Sequence, residues 1–354
     1  MKNINILFVA PSETCQGGIS AVVSNYKHSS FWSRYNCFLY GTSIESNMRL
    51  YSLIYQVLRL IWFIPFILIY RPRVISIHTA SRNSFYRSFI YILLSKIIRI
   101  PVVLHVHPAF FYNFYRQGGA VRKYLIQTAG KFSDKIVFLA PSIRDKFLSI
   151  FNNEKLLVIP NSVDVSAYQD LRTDSERKYQ LLFMGWIVKE KGVYDIVDVI
   201  PDVAAHFPDV QFVFAGNKEV ELLQKKISQR GLNNFARVDG WVTGQEKIDL
   251  LLNSYCLLLP SYTEGIPNVI LEAMASGLPV ITTPVGGIPS VVQEGVTGLF
   301  VTPGNKNELL AAILKLLKDG SLRNSMSIES RKQAEDLFDI EKIGFRLEEV
   351  YKKY

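Results

Sequence analysis

The chain has 354 residues, 49% of them apolar and 20% charged, which suits two folded domains and excludes a disordered protein. Three scattered cysteines, Cys15, Cys37 and Cys256, exclude a disulfide framework or a Cys-based metal spacing. The formal charge of +9 is uneven: residues 1–133 hold 15 Lys and Arg against Glu13 and Glu45, a net +13, which leaves −4 for the remainder. A basic first half calls for an anionic partner: nucleic acid, a membrane surface or a phosphorylated acceptor.

Taken in chain order, Ile4 to Ala10 is a short apolar run that reads as a buried parallel strand. The N-terminal run is too short for a signal peptide. Gly17-Gly18 opens a helix, and two adjacent glycines at a strand-to-helix turn let backbone approach a ligand. The pattern is not G-x-G-x-x-G, so no dinucleotide fingerprint is read here.

Leu50 to Tyr70 is the most apolar segment and has the length of a membrane span, roughly 20 residues. Gln56 and Arg59 interrupt it and Pro65 sits inside it, so a domain helix with an apolar edge able to rest on lipid is expected. Ser84 to Arg99 mixes aromatics with Arg87, Lys96 and Arg99, the composition of an interfacial helix. The next strand, Pro101 to His105, delivers His105 and His107 at its carboxyl end, where open α/β sheets bind ligands. These two histidines are expected on opposite sides, with only one facing the ligand. A metal site would need a third ligand, and none is obvious nearby.

Strands are expected at Lys135–Phe138 and Leu156–Ile159, the second running into Pro160-Asn161-Ser162-Val163-Asp164. The polar stretch Tyr168 to Tyr179 lacks apolar period and reads as a linker. Alternation then resumes: strand Leu181 to Met184, a loop Gly185 to Gly192 carrying Lys189 and Lys191, and a helix from Val193. Lysine at a helix start is phosphate chemistry. Strands Val210–Gly216, Arg237–Gly240 and Cys256–Leu259 follow, with Trp241 and Val242 just beyond the second.

Ser261 to Gly287, SYTEGIPNVILEAMASGLPVITTPVGG, is the most informative stretch. Gly265-Ile266-Pro267 reads as a helix start with Pro267 at the first helical position, and Gly277 with Pro279 stops the helix. Glu264 precedes this helix. Glu272 shares a face with Asn268 one turn inside it. Helix starts bind phosphate, and carboxylates accept from sugar hydroxyls on either side. That combination describes a nucleotide sugar.

The spacing E-x7-E, with EGIPN, EAMASGLPVI and PVGGIP around it, resembles the signature of glycosyltransferase family 4, the retaining nucleotide-sugar transferases. The resemblance covers nearly the whole chain. It implies the GT-B fold: two doubly wound Rossmann-like domains facing across a cleft, which suits the alternation read above. The expected boundaries are an acceptor domain at 1–168, a linker at 169–179, a nucleotide-sugar domain at 180–337, and a helix at 338–354 returning to the first domain.

Carried over by resemblance, Glu264 contacts the donor sugar and His107 orients it. Gly17, Gly18, Lys191, Ile266, Pro267 and Asn268 hold the diphosphate, and Glu272 binds the ribose. Lys189, Trp241, Val242 and Asn161 are weaker candidates. Trp186 stands where the family has an arginine, and Ser162 where it has a glycine. The implied co-substrate is a UDP-sugar, with GDP-mannose next, and no metal or other cofactor is expected. The expected acceptor is a glycan or lipid-linked glycan of surface polysaccharide synthesis. The enzyme is expected to be cytoplasmic, on the inner face of an anionic membrane, without nucleic acid. Competing readings are a GT-B nucleotide-sugar epimerase and a non-catalytic binder of membrane or nucleic acid.

Overall fold

The computed structural model describes residues 4–46, 48–108, 110–169 and 179–354. The chain divides into one unit of Met1–Ser162 with Ile340–Tyr354 and a second of Val163–Asp339. Residues 163–168 thus group with the second unit rather than the first. Positions 170–178 of the expected linker lie outside the described residues.

The first unit contains β1 (Asn5–Ala10), β2 (Asn36–Gly41), β3 (Val74–Thr79), β4 (Val102–Val106), β5 (Lys135–Phe138) and β6 (Leu156–Val158). They form one parallel sheet in the order β2-β1-β3-β4-β5-β6. Every residue of β3 and β4 is buried, as expected for strands covered on both faces. β2 escaped the sequence reading because it is an edge strand with a mixed, half-exposed pattern.

The Ile340–Tyr351 helix completes this unit's core. Its Ile343, Leu347, Val350 and Tyr351 join Phe8, Val22, Tyr26 and Phe31 in one apolar cluster. Each fully buried side chain of this size stabilises by about 1.5–3 kcal/mol relative to exposure. Polar clamps fix the helix laterally: Ser30 N–H donates to Glu341 at 2.7 Å, and Tyr35 O–H donates to Glu348 at 3.0 Å.

The second unit contains β7 (Gln180–Met184), β8 (Gln211–Ala215), β9 (Ala236–Gly240), β10 (Cys256–Leu259), β11 (Val280–Thr282) and β12 (Gly298–Phe300). These are also all parallel, in the order β12-β11-β10-β7-β8-β9. In each sheet the strand order reverses once, at β1/β3 and at β7/β10. Crevices at such reversals, outside the carboxyl ends of the strands, are where open α/β sheets bind ligands.

Candidate functional site

At the β7/β10 reversal, two loops meet. After β7 the chain makes a single 3₁₀ turn, Lys189–Lys191, and enters the Val193–His206 helix through Gly192 in the left-handed region, φ +70°. A Cβ on Gly192 would lie 2.2 Å from the Pro260 carbonyl oxygen, so only glycine permits both the turn and the contact with the β10 loop. Tyr262 N–H donates to the Glu190 carbonyl at 2.9 Å, and the Tyr262 hydroxyl donates to Asp195 at 2.9 Å. Fastened in this way, the loops place Lys191 Nζ 2.5 Å from Glu264 Oε1. Ser261 Oγ donates to the same oxygen at 2.8 Å. Glu264 is buried and Lys191 half-buried, so the cation compensates a carboxylate that would be costly to bury alone.

The helix after Glu264 spans Asn268–Ala275. Pro267 is its N-cap, in extended backbone, and not its first helical residue; the missing N–H suits either position. Gly277, φ +60°, closes the helix: Leu278 N–H reaches the Ala273 carbonyl and Gly277 N–H the Met274 carbonyl, the two bonds of a Schellman ending. Glu272 is buried on this helix and pairs with Lys247 at 2.8 Å. Lys247 lies on the Gly244–Asn253 helix. No phosphate or carboxylate motif surrounds it, so the sequence reading passed over it. The Tyr168 hydroxyl, pushed up by burial and by the nearby Glu272 charge, belongs to the same unit.

The weaker candidates separate from this cluster. Trp241 is exposed and Val242 buried just after β9, an edge strand two places from β7. Lys189 is exposed and makes no ion pair among the described residues. Near the arginine-replacing Trp186, Lys218 sits with its ammonium 5.3 Å from the indole centroid. Lys218 has φ +87°, a strained value for a side-chain-bearing residue. This cation was not found from sequence, because it follows β8 and not the lysine-bearing loop.

In the first unit, Gly17 caps the Gly18–His28 helix in extended backbone, and a Cβ on Gly17 or Gly18 would meet nothing within 4 Å. Neither backbone angle nor packing demands glycine at Gly17. What the pair leaves is open space beside backbone N–H groups. Asn161 is buried, and Ser162 is outside the positive-φ region, so its replacement of glycine is unstrained.

The histidines overturn one expectation. His105 and His107 lie on the same side of β4 with parallel rings, because residues two apart in a strand share a face. A third histidine, His78 on β3, packs between them, with centroids 4.4 Å from His105 and 5.1 Å from His107. The three do not form a metal site; among the described residues no cluster of metal-ligating side chains occurs. They are hydrogen-bonded instead. Tyr351 O–H donates to Ser76 Oγ at 2.8 Å, so its oxygen accepts from His105 Nε2 at 2.9 Å. Ser76 then donates to His78 Nε2 at 3.1 Å, and His78 Nδ1–H donates to His107 Nε2 at 2.9 Å. This direction assigns the His107 proton to Nδ1. Burial holds all three imidazoles neutral, His107 lowered to about 4 and the other two well below the usual range, where repulsion from neighbouring histidines adds to the effect at His78 and His105.

Known families match both units. The model of "Glycosyl transferases group 1" matches residues 169–333 and that of "Glycosyltransferase Family 4" matches residues 39–167. The chain belongs to the family 4, group 1 glycosyltransferases. It is an enzyme of glycosyl transfer with the GT-B fold. Alpha-D-kanosaminyltransferase of Streptomyces kanamyceticus is 24% identical over 301 residues, 78% of this chain and 77% of that protein. The capsular polysaccharide biosynthesis glycosyltransferase CapM of Staphylococcus aureus is 26% identical over 246 residues, 65% of each chain. Among solved structures, Anabaena HepE in complex with UDP-glucose superposes with a TM-score of 0.80 at 19% identity, covering 99% of this chain and all of that one.

Proposed function

We propose that this glycosyltransferase moves a sugar from a UDP-sugar, with retention at the anomeric carbon, to a lipid-linked or membrane-bound glycan acceptor of surface polysaccharide synthesis. The observation that carries the donor assignment is the Lys191–Glu264–Ser261 cluster at the β7/β10 reversal, followed by the helix that carries the paired Glu272. HepE, whose complex contains UDP-glucose, supports uridine. CapM, named for capsule synthesis, supports the glycan acceptor.

In this reading Lys191 turns from Glu264 to the β-phosphate. Glu264, released from its cation, accepts from donor-sugar hydroxyls and faces the positive charge developing at the anomeric carbon. Glu272 accepts from the ribose hydroxyls, with Lys247 fixing its orientation. The start of the Asn268–Ala275 helix adds its dipole at the diphosphate. The bond from anomeric carbon to phosphate oxygen breaks, the acceptor oxygen bonds to that carbon on the same face, and the acceptor's proton passes to the departing phosphate. Lysine and the helix dipole supply the charge stabilisation a metal would otherwise give. The enzyme would work in the cytoplasm at the inner face of the membrane.

The test is a thermal-shift panel of UDP, GDP, ADP and their sugar conjugates on the wild type and Glu272→Ala. Ligand at 100 times Kd adds about 2.7 kcal/mol. A uridine-specific shift lost in the variant is expected; a guanosine-only shift would overturn the donor assignment, and no shift at all would overturn the mechanism.

A further inference from the structure

The Arg49–Tyr70 helix is inside out. Its polar residues face the protein: Arg59 Nε donates to the Gly41 carbonyl at 2.9 Å with its guanidinium 3.6 Å from the centre of the Tyr40 ring. Gln56 accepts from Arg87 at 3.0 Å. The residues that interrupted the apolar run in sequence are therefore satisfied inside. Phe63 and Ile67 are buried along the same side. The outward side carries Leu50, Ile54, Leu58, Ile61, Trp62 and Ile69, with Leu50 and Ile61 each 67% exposed and Ile69 76%. This recurrence at three and four residues is an amphipathic stripe pointing away from the protein. A stripe of this extent is far from the scattered exposed apolar residues of an ordinary surface.

The helix is long and apolar enough to cross a membrane by composition alone, but it is fastened side-on. Its ends join β2 and β3 of one sheet, Tyr40 O–H donates to the Arg59 carbonyl at 2.5 Å, and Asn5 Nδ2 donates to the Tyr70 carbonyl at 2.7 Å. Spanning would tear these bonds out. Arg49 at its start and Arg71 and Arg73 just past its end are exposed and make no ion pair among the described residues. Of the cations expected on the next helix, Arg87 turns inward to Gln56 and Lys96 pairs with Asp134 at 2.6 Å, while Arg99, past the helix end, is exposed.

We infer that this helix lies flat in one leaflet of a bilayer, its Leu50–Ile69 stripe in the acyl boundary and Arg49, Arg71 and Arg73 on anionic headgroups. An outward-facing apolar stripe that includes a tryptophan and is flanked by cations is the pattern of helices that rest in the membrane plane. The inference deepens the membrane-bound acceptor reading and rests on it for its purpose.

The test uses the whole chain and vesicles of phosphatidylcholine alone or mixed with anionic phosphatidylglycerol. Wild type should float with the anionic vesicles, and lipids brominated near the headgroup should quench a fluorescence component missing in Trp62→Phe. Leu58→Glu/Ile61→Glu, two exposed positions whose change touches no core, should lose flotation at least tenfold while remaining folded by circular dichroism. Unchanged flotation of the double variant, or no flotation of wild type, overturns the inference. So does a wild-type dimer that the double variant dissociates and that ignores vesicles, since a second copy would then cover the stripe. The nucleotide thermal shift is read on the same samples: a retained shift with failed flotation sinks the helix assignment alone, and a lost shift in wild type sinks the transferase mechanism.

Discussion

At the scale of single residues, the Lys191–Glu264 pair is electrostatically satisfied. Lys191 and Glu264 neutralise each other at 2.5 Å, so a ligand must bring both an anion for the lysine and donors for the carboxylate. Lys191→Ala should lower kcat by about 10²–10³-fold, the usual cost of losing one charge-stabilising donor, and should also destabilise the unliganded protein by about 1–3 kcal/mol through the stranded buried carboxylate. Steady-state kinetics and urea unfolding on the same variant check both. Gly192→Ala, placed against Pro260, should show the same kinetic loss without removing any charge. The histidine cluster makes a pH prediction. His107 has its folded value lowered to about 4, below its unfolded value of about 6.5. The unfolded chain therefore binds the extra proton first as pH falls. The stability this group contributes is fully present above pH about 6.5 and is lost between there and pH about 4, at up to about 1.4 kcal/mol per pH unit. His78 and His105 act in the same direction. Urea midpoints between pH 7.5 and 5 should fall accordingly, and His107→Gln should flatten the slope by about one proton.

At the scale of elements, legibility followed the kind of packing. Parallel strands buried on both faces are continuous apolar runs, and Lys135–Phe138 and Cys256–Leu259 were read to the residue. The Asn268–Ala275 helix was legible because Pro267 before it and Gly277 after it punctuate it. β2 was not, since an edge strand lacks that run. His78 escaped because the histidines it stacks on and bonds, His105 and His107, come from the neighbouring strand and its end, a juxtaposition that the parallel β3/β4 register creates. The orientation of the Arg49–Tyr70 helix was equally hidden: periodicity tells which side is apolar, but not which side meets the sheet. The Ile340–Tyr351 helix yields a further prediction. Leu347 is fully buried in the first unit's core, and Leu347→Ala should cost about 2–5 kcal/mol. Chemical denaturation should show that loss in the first unit while uridine nucleotide still binds the second.

At the scale of the whole molecule, the two units differ in how their chain is supplied. The second is contiguous, Val163–Asp339, whereas the first is discontinuous and takes Ile343, Leu347 and Tyr351 from beyond it. On a ribosome moving at about 5–20 residues per second, the sheet of the first unit emerges early. The residues that close its core follow about 180 positions later, a wait of roughly 10–35 seconds. The second unit can fold as it leaves the tunnel; the first must stand open, its aromatic core and its apolar helix uncovered together. Ribosome-bound chains halted before Ile340 should accordingly be cut by protease throughout residues 4–162 and protected across the strands of the second unit. If the Arg49–Tyr70 helix rests on lipid as proposed, a bilayer would meet its apolar stripe before the first unit's core is closed.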